Sequence, residues 1–535
     1  MIVQKNPYSF EAFIQKRDGY DFYRDDSFLQ KLIQKYAPDE WETLDKKLLE
    51  FSPKVSLRWR QMSEEIARPQ LHPYLLHYNG YNERIDRIVR PAQTELLEKE
   101  IFGEGLFTAQ TTPWERFVKQ YLLHQLGEAG VLCPIACTEG LIALIEHFPD
   151  HGYPELDFIL RHCREGIDGD FGIGAQFMTE IQGGSDIPAN LLEAVPEGRY
   201  FRLYGNKFFC SAAHADYAVV TAKIRGSEKV STFIVPLWLP LGKPRKKRNA
   251  YYINRLKWKL GTCELPTAEI DFEGSLAYPV GPPNRGVAVA VGIVLTLSRL
   301  AVGIASAAYM TRAVREASLY SEFREAFGSK IKQFSLVAHQ LNQLTRTAQR
   351  TLAGAFKVYN LFVSLGCKLQ AGLAKENEPP ALRKQKFQLR ELILLQKITA
   401  AQETVDVLRR AISIFGGHGV IEDFSSLPRL FRDAVVNELW EGPRNVLLTQ
   451  IYRDLARAAG WYNPDEFVAD LLRGAPADKV KELSAKLKQF LSRPFFNDLT
   501  TEGMQTAAEW DFFCSELFNT YQEQALVEVE RGISK

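Results

Sequence analysis

Apolar positions recur at helical spacing over the first third of the chain. Phe28-Leu29 with Leu32-Ile33, and Leu96-Leu97 with Ile101-Phe102, fall near the 3.6-residue period of an amphipathic helix. Trp114, Phe117-Val118 and Tyr121-Leu122-Leu123 form a stronger stripe, ended by Gly127 and Gly130. The period then shortens. Residues 217–221, 231–235 and 268–272 are β-branched and aromatic runs bounded by Gly, Pro, Asn and charge, which predicts strands. Tyr204-Gly205-Asn206-Lys207-Phe208 reads as a hairpin turn. From about residue 286 the helical period returns in longer stretches. Ile331, Phe334, Val337, Leu341 and Leu344 keep one face apolar, residues 392–414 do the same, and Pro379-Pro380 marks a loop between helices.

These patterns predict an α+β multidomain protein. It has an N-terminal helical domain at 1–171 and a central, mainly antiparallel β domain at 172–283. A C-terminal four-helix-bundle domain at 284–460 and an extra helical extension at 461–535 complete it. Strands and helices do not alternate, so a doubly wound nucleotide fold is disfavoured, and Gly169, Gly172 and Gly174 have the wrong spacing for a dinucleotide fingerprint. The apolar run 287–310 carries Arg299 and many small residues, which predicts a buried bundle helix rather than a membrane span.

Composition narrows the function classes. The 535 residues are 46% hydrophobic and 24% charged with a formal charge of +1, a globular balance without a global pull toward nucleic acid or anionic membrane. Seven scattered cysteines predict free thiols in a reducing, cytoplasmic setting. Cys133 and Cys137 with His124 match no zinc pattern, and no metal site is predicted. The first twenty residues lack the apolar centre of a signal peptide. The run Lys243-Pro244-Arg245-Lys246-Lys247-Arg248 reads as a solvated hairpin tip. Residues 464–535 hold 13 acidic against 8 basic side chains, which disfavours DNA as a partner because phosphate neutralisation dominates nonspecific affinity.

The stretch Met178-Thr179-Glu180-Ile181-Gln182-Gly183-Gly184-Ser185-Asp186 stands apart. Two glycines let the backbone approach a flat ligand, and Thr179 and Ser185 offer hydroxyls beside it. Met-Thr-Glu-x-x-Gly-Gly-Ser-Asp resembles the flavin-contacting segment of the acyl-CoA dehydrogenase superfamily, most closely its AidB-like branch. Further segments follow in the family's order. Gly205-x-Lys207-Phe208-Phe209-Cys210-Ser211 resembles the strand that packs on the isoalloxazine, with Phe209 and Ser211 as contacts. Residues 255–262 resemble the Lys-x-Gly segment that closes the β domain. Ser298-Arg299-Leu300 resembles the opening of the first bundle helix. Arg324-x-x-Phe327-Gly328 resembles the motif that reaches the FAD pyrophosphate of a neighbouring subunit. Phe415-Gly416-Gly417-His418-Gly419 resembles the turn near the adenosine half, and Arg429-x-x-Arg432-Asp433 follows it. Leu439-Trp440-Glu441-Gly442 resembles the segment holding the catalytic carboxylate.

The resemblance covers about residues 80–455 and implies an FAD-dependent acyl-CoA dehydrogenase. In that reading the Glu441 carboxylate removes the α-proton of a fatty acyl-CoA and hydride goes from the β-carbon to the flavin. The Glu441 N–H polarises the thioester oxygen. The implied cofactor ligands are Met178, Thr179, Gly184, Ser185, Phe209, Ser211, Arg324, Phe327, Gly416, Gly417, Gly419, Trp440 and Asn445. Ser185, Arg299 and Gly442 are the implied substrate contacts. Electron-transfer flavoprotein or oxygen is the implied acceptor, and a homotetramer or homodimer sharing FAD sites the implied assembly. Departures from the family pattern are Phe209 for Trp, Ser335 for Gln, and Pro443 and Asn445 after the Glu-Gly pair. Pro443 removes one N–H. A second reading follows from these departures: a stress-response flavoprotein of the AidB-like type that binds acyl-CoA or DNA with little turnover.

Overall fold

The computed structural model describes residues 8–241, 247–369 and 378–532. Helices occupy the chain from Glu11 to Glu165 except for one antiparallel hairpin, Tyr74–Tyr78 with Arg84–Val89. The helical reading of this region missed that hairpin. Its strands, Tyr-Leu-Leu-His-Tyr and Arg-Ile-Asp-Arg-Ile-Val, bury little, so no strong alternation marks them. The three predicted apolar stripes are helices Ser27–Tyr36, Ala92–Phe102 and Pro113–His124, and their apolar faces enter the main core.

Among the described residues, seven strands make the main sheet of the β region. Thr267–Pro279 pairs antiparallel with Tyr200–Ser211, which pairs with Glu193–Glu197. Glu193–Glu197 lies parallel to Tyr217–Ile224, Tyr217–Ile224 pairs with Val230–Pro236, and Val230–Pro236 returns to Thr267–Pro279 through Tyr278 and Pro279. The five strands thus close into a ring, which leaves no free edge on that path. Gly174–Phe177 adds in parallel to Tyr217–Ile224, and Tyr251–Leu256 adds to the outside of Thr267–Pro279. Tyr204–Phe208 is not a hairpin turn. It lies within the continuous strand Tyr200–Ser211, where Gly205 at φ +124° pairs with Phe272, one position from the bulge that Gly274 makes in the partner strand opposite Tyr204 and Leu203. A bulge and a turn both recruit Gly-Asn, and local sequence does not separate them.

The bundle consists of Thr296–Phe323, Ser335–Ser364, Pro380–Ile414 and Leu427–Leu439, running alternately up and down, followed by Arg444–Ala458. The apolar stripe read from Ile331 becomes α-helical only at Ser335, because Ile331–Gln333 is a short 3₁₀ turn. Among the described residues, two helices are long and apolar enough to cross a membrane, Ala129–His147 and Gly286–Phe323, and 72% of each apolar window is buried inside the protein. The extension folds back on the bundle as Pro464–Leu471, Ala477–Leu491 and Thr501–Gly532. A Cβ on Gly354 would stand 2.6 Å from Gln522 Cγ, so this glycine lets the last helix approach closely. Trp510 is fully buried and donates to the Leu448 carbonyl at 3.2 Å, and Arg444 pairs with Asp511.

All seven cysteines are free thiols. In the basic run, residues 243–246 lie outside the described residues. Arg248 is not a solvated tip: it donates to the Asp86 and Ile85 carbonyls and stacks over Trp238 and Tyr251.

Candidate functional site

Glu441 sits in the turn between helices Leu427–Leu439 and Arg444–Ala458, with φ +59°, and Gly442 follows at φ +102°. A non-glycine residue in the left-handed region is held there by its surroundings. Two buried cations from different helices do the holding. Arg299 Nε donates to the Glu441 carbonyl at 2.9 Å, and Lys397 Nζ donates to the Glu438 and Gly442 carbonyls at 2.8 and 2.7 Å. Arg299 therefore orients the turn through its backbone. Burial lowers the Arg299 guanidinium to about 10 and the Lys397 amine to about 7, although the Glu441 charge pulls both back up.

The Glu441 carboxyl points to the other side of the turn. Its Oε1 accepts from Gln176 Nε2 at 2.8 Å, and Oε2 is buried without a partner. What exposure the residue keeps is to an internal cavity, so burial raises its carboxyl to about 7 against the opposing pull of Arg299, Lys397 and Gln176. The cavity has a volume of about 50 Å³ and runs between helices Ala129–His147, Thr296–Phe323 and Leu427–Leu439. Small side chains, Ala129, Ala136, Ala301, Ala305 and Ser298, keep it open.

Gln176 lies on strand Gly174–Phe177, and the strand leads directly into the Met178–Ser185 loop. That loop is anchored by a residue the sequence reading passed over. The Glu180 carboxylate accepts from Lys207 Nζ at 2.8 Å, Asn190 Nδ2 at 2.6 Å and the Leu191 and Leu192 N–H groups. Burial works against the charge, but Lys207 with the Gln182 amide and the Leu191 N–H outweighs it and holds the carboxyl at about 2. Lys207 also donates to the Met178 carbonyl at 3.0 Å. With Glu180 turned inward, Gly183 and Ser185 are left exposed and Thr179 half-buried. A Cβ on Gly184 would stand 2.4 Å from Thr179 Oγ1. The neighbouring strand offers Phe209, 46% exposed, beside Ser211, whose hydroxyl pairs with Thr267 at 3.1 Å. Lys257 Nζ lies 4.5 Å from the Phe209 ring centre and donates to Glu269 at 2.6 Å. Gly261 permits close contact with helix Leu427–Leu439, since its Cβ would meet the Arg432 carbonyl oxygen at 2.5 Å.

The remaining predicted residues form a second group. Arg324 caps helix Thr296–Phe323 and donates to Tyr8 at 2.9 Å. Phe327, 99% exposed at φ +51°, and Gly328 form the tip of a two-residue hairpin. The turn Gly416–Val420 lies at the same end, because His418 Nδ1 is 2.8 Å from the Tyr320 hydroxyl. Gly416 and Gly417 face open space, whereas a Cβ on Gly419 would strike the Ile412 carbonyl at 2.3 Å. Arg299 and Arg324 are separated by ~37 Å along one helix, so the two groups cannot meet on one ligand within a single chain. Trp440 is half-buried with a buried, unpartnered Nε1, and the Asn445 side chain is exposed.

Comparison with known proteins places this arrangement. Residues 284–456 match the acyl-CoA dehydrogenase C-terminal domain. Acyl-CoA dehydrogenase family member 11 of Caenorhabditis elegans is 27% identical over 452 residues, covering 81% of this chain and 70% of its own. AidB of Escherichia coli K12 is 28% identical over 412 residues, covering 73% and 70%. Residues 284–456 thus carry the acyl-CoA dehydrogenase C-terminal domain, and most of the chain is similar to proteins of that family. Among solved structures, Bd2924 in its apo form shares the fold with a TM-score of 0.81 at 26% identity, over 96% of this chain and 98% of its own. The C. elegans ACDH-11 structure in complex with C11-CoA gives a TM-score of 0.80 at 24% identity, over 96% and 88%. These relatives agree with the superfamily resemblance read from the motifs. Gln176 and Lys397 were not foreseen. A lysine inside the apolar stripe of residues 392–414 was the available signal for the second; the first carries none at sequence level.

Proposed function

We propose that this protein is an FAD-dependent acyl-CoA dehydrogenase that introduces an α,β double bond into a fatty acyl thioester, with Glu441 as the base. The observation that carries the reading is the unpartnered Glu441 Oε2, on a carboxyl near neutrality, aimed into an apolar cavity. A general base serves best when its pKa lies near the working pH and its lone pair is not engaged. Gln176 fixes one oxygen, Arg299 and Lys397 fix the turn, and the small-residue walls exclude water from the acyl chain. The Glu441 N–H is the donor for the thioester oxygen.

The residues present fit a flat, polar-edged cofactor. Gly183 and Ser185 are exposed on a loop that Glu180 and Lys207 hold rigid, next to the half-exposed Phe209 ring. Met178, Thr179, Gly184, Ser185, Phe209 and Ser211 would hold the flavin half. Bound FAD supplies the two-electron oxidant that receives the β-hydrogen as hydride. Arg324, Phe327 and the Gly416–Gly419 turn lie too far from Glu441 to serve the same site. They suit the pyrophosphate and adenosine half of a cofactor bound by a second copy, which makes the working form a homo-oligomer. Reoxidation by electron-transfer flavoprotein or oxygen and a cytoplasmic location complete the proposal.

An anaerobic visible spectrum titrated with acyl-CoAs tests the reading. A flavin band that bleaches in the wild type and persists in Glu441→Gln supports it; a band that no acyl-CoA bleaches refutes it. One observation favours the low-turnover alternative: Pro443 is the N-cap of helix Arg444–Ala458 with no capping side chain, so a hydrogen-bond donor and a hydroxyl are both missing beside the site.

A further inference from the structure

Two thiols stand in the wall of the cavity, and the reaction proposed above uses neither. Cys133 and Cys137 lie one turn apart on helix Ala129–His147, and both line the cavity together with Glu441. Their sulfurs are 4.0 Å apart. Cys137 is buried, whereas Cys133 keeps partial exposure, so a small molecule can reach the pair.

A direct sulfur–sulfur bond is the first chemistry such a pair suggests, and the helix opposes it. The β-carbons of a disulfide lie ~3.8 Å apart, whereas residues four apart on a helix hold theirs at ~5–6 Å. Closing the bond would unwind this turn. The turn is also pinned from both sides: the Thr138 hydroxyl donates to the Pro134 carbonyl at 2.7 Å and accepts from the Gly174 N–H at 2.8 Å. One atom bridging both sulfurs leaves the helix intact. Two bonds of ~2.3 Å, the length of a thiolate–zinc bond, reach across the 4.0 Å gap.

The surroundings select the bridging element. Zinc takes three or four protein ligands, and among the described residues no three His, Cys, Asp or Glu side chains are grouped to hold a metal ion. The element is therefore thiophilic and satisfied by two protein sulfurs. Trivalent arsenic meets both conditions: it bonds two sulfurs and keeps one bond to oxygen. Size agrees. The cavity has about 50 Å³, and a water's share of the liquid is ~30 Å³, so an arsenic atom with one hydroxyl fits and an aryl group does not. The remaining hydroxyl has partners in the same lining. Among the described residues, Asn437 Nδ2 and Trp440 Nε1 are buried donors without partners, and Glu441 Oε2 is a buried acceptor without one. A hydroxyl accepts from such donors and donates to such an acceptor.

We infer that Cys133 and Cys137 form a binding site for arsenous acid, and that its occupation blocks the cavity in which Glu441 works. Arsenous acid, As(OH)3, is uncharged near neutral pH and enters without a counter-charge. Two As–O and two S–H bonds break, two As–S and two O–H bonds form, and two waters leave. No oxidation state changes, so no oxidant is needed. The contact with Cys133 and then burial raise the Cys137 thiol well above its usual value, so this sulfur carries the proton that the leaving hydroxyl takes. The site stands independently of the flavin chemistry. Only the blocking effect rests on the reading that this cavity holds the acyl chain of a thioester substrate.

The test titrates sodium arsenite into the full-length protein, free of added thiols, and counts the adduct by native mass spectrometry. One arsenic should bind per chain. Cys133→Ser and Cys137→Ser should each weaken binding at least tenfold, and Cys263→Ser should leave it unchanged. Serine differs from cysteine by one atom, and an unfolding curve like that of the wild type shows that each variant folds. In a second arm acyl-CoA is added anaerobically to the flavin-loaded protein. Arsenite should abolish bleaching in the wild type, a competing small dithiol should restore it, and both serine variants should bleach at the same arsenite concentration. No adduct, or an adduct retained in both serine variants, overturns the site. An adduct that leaves bleaching intact overturns the blocking role. If acyl-CoA bleaches no flavin even without arsenite, the dehydrogenase reading fails, and the adduct count alone then upholds or overturns the site.

Discussion

Replacing Glu441 by glutamine changes stability in a direction that most active-site substitutions do not. Burial moves the carboxyl from 4.5 to about 7 in the folded chain. Between those limits the folded protein holds a proton that the unfolded chain has released. Stability therefore falls as pH rises from about 4.5 and reaches its full deficit above about 7. At ~1.4 kcal/mol for each tenfold change in proton affinity, the deficit is ~3 kcal/mol. Glutamine keeps the shape, accepts from Gln176 through its own oxygen and leaves the backbone bonds from Arg299 and Lys397 in place, but it does not titrate. The wild type should accordingly lose up to ~3 kcal/mol relative to Glu441→Gln as pH rises across this window. Lys397 has the opposite sign. Its amine is lowered to about 7 with the Glu441 charge pulling it up, so in the wild type its contribution grows with pH only above that value, and the comparison is read below about 7. Urea unfolding of both proteins at a series of pH values measures the difference directly. Parallel curves would refute the reasoning, since they would mean that the carboxyl is solvated and is not a poised base.

Other consequences are separable from this one. Gln176→Met removes the donor that lowers the Glu441 pKa, so the pH midpoint of acyl-CoA-driven bleaching should move to the alkaline side, with several-fold lower rates near neutrality that recover at higher pH; a loss independent of pH would contradict it. Gly184→Ala drives a methyl group into Thr179 and should cost about 1–3 kcal/mol in the loop, read as a lower ratio of flavin to protein absorbance after purification; full flavin retention would argue against the close packing. Lys207→Met leaves Glu180 buried without its cation and should destabilise the fold by ~3 kcal/mol, with partial recovery on adding Glu180→Gln; a change under ~1 kcal/mol in the single variant would show the pair to be solvated. Arg324→Gln should reduce flavin retention while leaving the Glu441 pH profile where it was, because ~37 Å of helix separates the two; a shifted profile would place Arg324 in its own chain's site.

Much of this protein was legible from residue order alone. Hydrophobic period separates helical from stranded regions because a helix and a strand repeat their buried faces at different intervals, and that property is local. The glycine loop at 183–184, the Trp-Glu-Gly turn and the Arg-x-x-Phe-Gly hairpin were likewise visible, since backbone conformations that exclude side chains leave glycine behind. Tertiary structure alone decided which of these residues meet. Strand ring closure joins segments far apart in the chain, and the weakly buried 74–89 hairpin had no periodic mark to announce it. Gln176, on a strand 265 residues before Glu441, and Lys397, on a separate helix, became parts of one site only through packing. The motif residues that looked like one set divided into two groups at opposite ends of a bundle helix. The acidity of Glu441 belongs to the same category: nothing in the tripeptide Trp440-Glu441-Gly442 specifies a carboxyl near neutrality. Desolvation by three helices does, and desolvation is a property of what surrounds a residue, not of the residue itself.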